Sequence, residues 1–205
     1  MVRGTFSPAR AWRPAVVARL ARTLGVMNGI IFRVVEEFPE PEFSSLVDKA
    51  FSDYEESSLL SEVSAEEAAV RPGATAAPSK GAIRIGAFRG DQLVGWTYAN
   101  PEGTSLIYMV NSGVATAERR TGIYSKLARL VIDEAKSRGY SVIWSRHAAN
   151  NNAVIVAKLK LGFFVSGFEY SEVYGPLVRL TYLLREKQRQ LYQARAKPIR
   201  RSRQE

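Results

Sequence analysis

Residues 104–138 place the tightest limit on what this chain can fold into. An apolar, strand-like run at 104–115 passes through a short basic turn, Arg119-Arg120-Thr121-Gly122, directly into a helical pattern. Over 121–138, Ile123, Leu127, Leu130, Val131 and Ala135 recur at helical spacing and form one stripe. Lys126, Arg129, Asp133 and Lys136 fall on the other side, with Arg129 and Asp133 spaced for an i, i+4 pair. Gly139 supplies the C-terminal stop. A helix with one apolar stripe has to bury it against a second layer, and a strand feeding such a helix predicts an α/β packing.

The rest of the chain extends that layer. Residues 30–36 (IIFRVVE) read as a strand, and Phe43, Leu46, Val47, Ala50 and Phe51 as a helix face. A second helical stretch is predicted over 58–70 and a Pro/Gly/Ala loop over 71–80. Residues 81–88 and 92–99 flank Gly90-Asp91 and predict a hairpin turning near 89–92. Further strands are expected at 140–147, 163–170 and 177–184, with a short helix at 151–161. This order predicts a mixed sheet of six to seven strands with helices on both faces.

Composition removes several function classes. The chain has 205 residues, no Cys and one His, so disulfides, thiolate chemistry and multi-His metal sites are excluded, and no metal is expected. No apolar run approaches the ~20 residues of a membrane span. The net charge of +9 is uneven. Residues 1–35 carry six Arg and no acid, and 185–205 carry eight basic residues against two acids. Residues 36–184 carry 15 basic and 18 acidic residues. The expected organisation is therefore a basic extension at 1–26 outside the fold, a domain at 27–184 and a basic tail at 185–205. The tail is read as a helical continuation that frays, and the cytoplasm as the location. Basic tails leave nucleic acid open as a partner, although the acidic middle argues against it.

The turn at 119–122 has its own chemistry. The first turn of a helix presents unpaired N–H groups and a positive dipole end, which suits an anion. Gly122 lets an anion approach closely, and Arg119 and Arg120 add charge.

This stretch resembles the cofactor motif of the GNAT (GCN5-related N-acetyltransferase) family, Arg/Gln-x-x-Gly-x-Gly/Ala. Here it runs Arg119-Arg120-Thr121-Gly122-Ile123-Tyr124, with Val114 and Leu127 flanking it as in the family. Downstream, "NNNAVIVAKLKLGF" resembles the second motif, an Asn-led helix ending in Gly-Phe, with Asn151 and Gly162-Phe163 matching. The resemblance spans 28–184 and is most specific over 105–165. It implies a single-domain, mostly antiparallel sheet with one splayed parallel strand pair, formed by the strands ending near Val114 and His147. It implies acetyl-CoA as cosubstrate. Pantetheine would lie along Val114, Ala115 and Thr116. Pyrophosphate would sit at the turn formed by Arg119, Arg120, Thr121, Gly122, Ile123, Tyr124 and Ser125, with Asn151 nearby. A primary amine of a small molecule would attack the thioester directly, and a backbone amide near Gly113 would hold the oxyanion. Gly113 inside a strand also predicts a bulge or a close approach of the ligand.

The chain departs from the family where proton transfer is expected. A carboxylate is common three or four residues before the Val, and here Val110 and Asn111 stand there. A Tyr acid is common seven residues after the Asn, and here that residue is Lys158, or Ala157 if Asn150 leads the helix. The substitutes are His147, whose unperturbed pKa of about 6.5 suits a base, Asn111 holding a water, and Lys158 as an acid or a phosphate contact. Tyr108, Tyr170, Tyr174 and Tyr182 are further candidate acids. Tyr124 replaces a small residue, so its ring has to turn away or stack on the cofactor. The stretch 36–70 holds eleven acids and one Lys, which makes a cationic acceptor one candidate. Acetylation of a protein or aminoacyl-tRNA amine, and an acyl-CoA-binding module with little turnover, stand as alternatives. A monomer and a homodimer are both open.

Overall fold

The computed structural model describes residues 20–57, 81–171 and 174–196. The helix expected at 58–70 and the loop at 71–80 lie outside them. Eight strands form one sheet: β1 Leu20–Met27, β2 Ile30–Val35, β3 Ile83–Arg89, β4 Gln92–Glu102, β5 Leu106–Val114, β6 Val142–Ala148, β7 Phe164–Ser171 and β8 Gly175–Leu183. Their spatial order is β1-β2-β3-β4-β5-β6-β8-β7, and β5 with β6 is the one parallel pair. The described helices are α1 Glu42–Ser57, α2 Ile123–Ser137, α3 Asn152–Lys160 and α4 Glu186–Ala196.

Each face of the sheet carries its own core. On one side Ile30, Phe32, Ile83, Ile85, Ile107 and Ile143 pack under α2, whose Ile123, Leu127, Leu130, Val131 and Ala135 are all buried as the stripe predicts. On the other side Val35, Leu93, Trp96 and Tyr98 pack under Phe43, Leu46, Val47, Ala50 and Phe51 of α1. The α2 ion pair differs from the expected one. Glu134 accepts from Arg138, and it also pairs with Arg22 of β1. The hairpin turns at Gly90, whose φ of 60° is the left-handed conformation such a turn needs.

The strand count exceeds the expectation because residues 20–26 belong to the sheet. β1 pairs antiparallel with β2, and Leu24 and Met27 pack against the main core. A domain start at Met27 therefore cuts through a strand. Arginines interleaved with apolar residues suit an edge strand, where one face is covered and the other wet. A chain beginning at residue 28 is expected to unfold about 5–10 °C lower than the full chain, since it loses the burial of two apolar side chains. Equal midpoints in a thermal melt would show that β1 adds nothing to the fold.

As far as Ala196 the expected C-terminal tail continues as a helix, and that helix is held; residues 197–205 lie outside the described residues. Arg189 of α4 donates to Leu183 O at 2.7 Å, and Tyr192 stacks on Phe164 at 3.8 Å between ring centres.

Candidate functional site

The site begins where the parallel pair parts. β5 and β6 are in register at Leu106↔Val142, Ile107↔Ile143 and Tyr108↔Trp144, and no further. Beyond that rung β5 stays with β4 as far as Val114, and β6 stays with β8 as far as Ala148. A register shift between Tyr98/Asn111 and Ala99/Met109 leaves Val110 as an extra residue on β5. Such a bulge bends the strand that carries it, and this one lies two residues past the last rung.

The bulge is therefore at Val110, not at Gly113. Gly113 serves a close approach instead. A Cβ there would lie 2.2 Å from the Trp96 ring, which packs over it. The same indole donates from Nε1 to Asn111 Oδ1 at 3.1 Å. That bond fixes the orientation of the Asn111 amide.

At the far end of β5 the chain forms the basic turn. Ala115 N–H donates to Val94 O at 2.8 Å, so alternation turns the backbone groups of Val114 to the other edge, facing the gap. Arg119 Nε reaches Val114 O from there at 3.4 Å. Thr121 Oγ1 donates to Glu118 O at 2.6 Å, and Glu118 is held by Arg89 through two bonds of 2.7 and 2.9 Å. Arg89 in turn keeps the Glu118 carboxyl below its ordinary pKa. Arg120 and Gly122 both have positive φ, 65° and 89°. Gly122 caps α2 without a side-chain hydrogen bond, which leaves the first amides of the helix unpaired. Tyr124 packs its ring into the core beside α2, and burial pushes its phenol well above the ordinary range. Its side chain is thus out of the way, while its N–H stays in the turn. A cleft of about 280 Å³ between α1 and the end of β5 is lined by Val114, Ala115, Thr116 and Arg119, with Leu46 and Lys49 opposite.

Three polar side chains meet at the vertex of the gap. Lys158 of α3 is fully buried, and its Nζ donates to Ser145 Oγ at 2.6 Å and to Met109 Sδ at 3.4 Å. Met109 and Ser145 are the residues that directly follow the last parallel rung on the two strands. The ammonium also lies 4.7 Å from the Phe163 ring centre. No carboxylate pairs with it among the described residues, and burial lowers its pKa to about 7. His147 Nε2 lies 3.0 Å from the same Ser145 Oγ. Burial first, and the Lys158 charge second, push His147 down to about 3. The bonding pattern that satisfies all three has Lys158 donating to Ser145, and the Ser145 hydroxyl donating to an unprotonated His147 Nε2.

The sequence-predicted residues thus separate into two groups. Val114, Ala115, Thr116, Arg119, Arg120, Thr121, Gly122, Ile123, Tyr124 and Ser125 converge on the turn at the mouth of the gap. Lys158 and His147 converge on its vertex, but His147 is held neutral, which removes the property for which it was singled out. Asn151 is a helix cap, its Oδ1 accepting from Val154 N at 3.3 Å. Among the tyrosines, Tyr170 is 77% exposed on the edge strand, Tyr182 packs on Phe163, and Tyr108 stacks on Trp144. Ser145 escaped the sequence reading. Its signal was a small polar residue at an inward position of β6, between Ile143 and His147 in a strand of alternating faces.

Among the described residues no cluster of His, Asp or Glu is arranged to hold a metal, and no helix is long and apolar enough to cross a membrane.

Comparison with known proteins agrees with this geometry. Residues 36–163 match the profile of the acetyltransferase (GNAT) family. A GNAT family acetyltransferase from Elizabethkingia anophelis, solved with acetyl-CoA bound, superposes with a TM-score of 0.55 at 15% identity, over 77% of this chain and 99% of that one. An IAA acetyltransferase from Bacillus cereus superposes at 0.53 with 16% identity, over 75% and 99% of the two chains. An aminoglycoside 6'-acetyltransferase type Ii superposes at 0.52 with 18% identity, over 70% and 88%. Some other matched structures are spanned over only 66% of their own length. No curated protein matches the sequence.

Proposed function

Because the chain belongs to the acetyltransferase (GNAT) family, we propose that it moves an acetyl group from acetyl-CoA to a primary amine of a small molecule, by direct attack on the thioester. The observation that carries this reading is the gap between β5 and β6, opening beside a helix start whose amides and arginines pair with no carboxylate among the described residues. The residues present fit the cosubstrate. The unpaired amides of α2 and the Arg119 and Arg120 guanidinium groups suit a pyrophosphate. The gap-facing backbone of Val114 suits the amides of a pantetheine arm.

The chain's own contribution is orientation and proton transfer. Holding an amine against the thioester between two strands supplies up to about 7–11 kcal/mol of the barrier in favourable cases. Bond formation from nitrogen to the carbonyl carbon, and loss of the carbon–sulfur bond, leave a thiolate that needs a proton. Lys158 is placed at the vertex to give it. Its pKa of about 7 lets it carry that proton at neutral pH and release it. Ser145 orients the ammonium and links it by hydrogen bonds to His147. The surplus proton of the attacking amine leaves to water, so the overall reaction is balanced.

Calorimetric titration with acetyl-CoA and with free CoA, followed by thiol-release assays on an amine panel, tests the reading. The expected result is micromolar binding of acetyl-CoA and turnover of a small amine. Absence of binding by either cofactor form would overturn it. Binding without transfer to any amine would favour a module that holds acyl-CoA without using it.

A further inference from the structure

The face of the gap opposite Lys158 carries an arrangement of charge that the sheet does not need. Arg146 of β6 and Arg179 of β8 are direct cross-strand partners in an antiparallel pair. Like charges placed opposite each other weaken a sheet. Only one of the two is compensated. Arg146 donates to Glu169 at 3.4 Å, and it sits 5.5 Å from the Tyr108 ring centre. The Arg179 guanidinium lies 4.0 Å from the Trp144 ring centre, and no carboxylate pairs with it among the described residues. Glu102 accepts from the Trp144 indole N–H at 2.7 Å, and among the described residues it forms no ion pair with either arginine.

The position of this pair matters as much as its charge. Tyr108 and Trp144 form the last parallel rung, and they stack 4.4 Å apart. Arg146 comes two residues later on the same face of β6, about 7 Å along the strand, beside the opening gap. The opposite face is already taken. There α2 and α3 cover the sheet, and Lys158 fills the vertex. An acceptor that reaches a thioester held in the gap therefore arrives over Tyr108 and Trp144, within reach of both guanidinium groups.

We propose that Arg179 and Arg146 grip an anionic group on the acceptor, so that the substrate class is a primary amine that also bears a carboxylate. The proposal rests on the acetyl-transfer reading above and deepens it. Two guanidinium groups on neighbouring strand positions, both over the Trp144 ring, suit a carboxylate through charge-assisted bonds. An anion there also offsets the Arg179 charge, which Glu169 does not reach. The Trp144 ring is buried beneath the two arginines, and Arg179 rests 4.0 Å from its centre. A cationic acceptor, the class suggested by the acidic stretch 36–70, would meet two positive charges here.

The test is a set of matched acceptors assayed by thiol release with the full-length protein. Amino acids of graded chain length are each paired with their carboxamides, with aminoalkylphosphonates and 1,4-diaminobutane alongside. At least one amino acid is expected to exceed its carboxamide in kcat/KM by about tenfold to a hundredfold. In Arg179→Gln that ratio is expected to fall toward one, with a smaller fall in Arg146→Gln, whose charge is already shared with Glu169. A phosphonate preferred over every carboxylate would keep the anion site and reassign its ligand. Carboxamides or the diamine performing as well as the amino acids would overturn the proposal, as would no turnover of any member by protein that binds acetyl-CoA. A ratio unchanged in Arg179→Gln would also overturn it. Failure of the wild-type protein to bind acetyl-CoA would be a separate result, sinking the acetyl-transfer reading and this one with it.

Discussion

Lys158→Met is expected to slow acetyl transfer by about a hundredfold to ten-thousandfold, the range typical of losing a positioned acid, while making the protein more stable to heat at pH 7. The two effects have one cause. A lysine with no carboxylate partner, fully buried between Met109 and Ser145, is a cost to the fold. Its pKa is about 7 in the fold and 10.5 ordinarily, so between those values the unfolded chain holds more protons than the folded one. Stability contributed through this group therefore rises with pH from about 7 to about 10.5 and is lowest below 7. Methionine fills a similar volume without charge. Its gain in melting temperature is expected at pH 7 and largely absent near pH 10.

Activity carries the opposite sign. An acid works only while protonated, so the wild-type kcat is expected to fall as pH rises through about 7, and the variant loses that limb. Lys158→Arg separates charge from proton transfer, because a guanidinium stays charged and does not give up its proton in this range. It is expected to stay slow. A Lys158→Met enzyme with wild-type kcat and an unchanged pH profile would remove Lys158 from the chemistry and leave it a structural oddity. His147 is the other titratable group bonded to Ser145. Its pKa of about 3 keeps it out of the window in which these profiles are read.

Gly122→Glu is expected to weaken acetyl-CoA binding by a hundredfold or more. Placing a carboxylate about 4 Å from a pyrophosphate costs several kcal/mol at an effective dielectric constant of about 20. The backbone adds a smaller penalty, since φ at Gly122 is 89° and a side chain there is strained. Gly122→Asn controls for that strain, because Asn visits the left-handed region more readily and brings no charge. Calorimetry should find the Asn variant much closer to wild type than the Glu variant. Equal affinities across all three proteins would mean that the turn at 119–125 is only the start of a helix.

Both predictions come from residues that the sequence made visible, yet the sequence displayed them unequally. Gly122 stood out because its role is local. A glycine after two arginines, at the head of an amphipathic stripe, has the same backbone duty in any fold that contains that helix. The stripe from Ile123 to Ala135, the stop at Gly139 and the turn at Gly90 were legible for the same reason. Periodicity and turn chemistry act over a few residues and need no distant partner. Even so, the strand count was one short, because Leu20–Met27 reads as a basic extension until β2 is beside it.

The sequence by itself determined the family and the order of the described strands and helices from 30 to 57 and from 81 to 184. Only the tertiary structure decided what the polar residues do. His147 was chosen for its ordinary pKa, but the walls around it and the Lys158 charge nearby set its protonation. Lys158 was one candidate acid or phosphate contact among several until α3 was laid across the vertex. Arg146 and Arg179 are 33 positions apart and become a pair only in the β6–β8 register. Burial, bond partners and pKa are properties of the space between elements, and that space is set by non-local pairing that no short window of sequence contains.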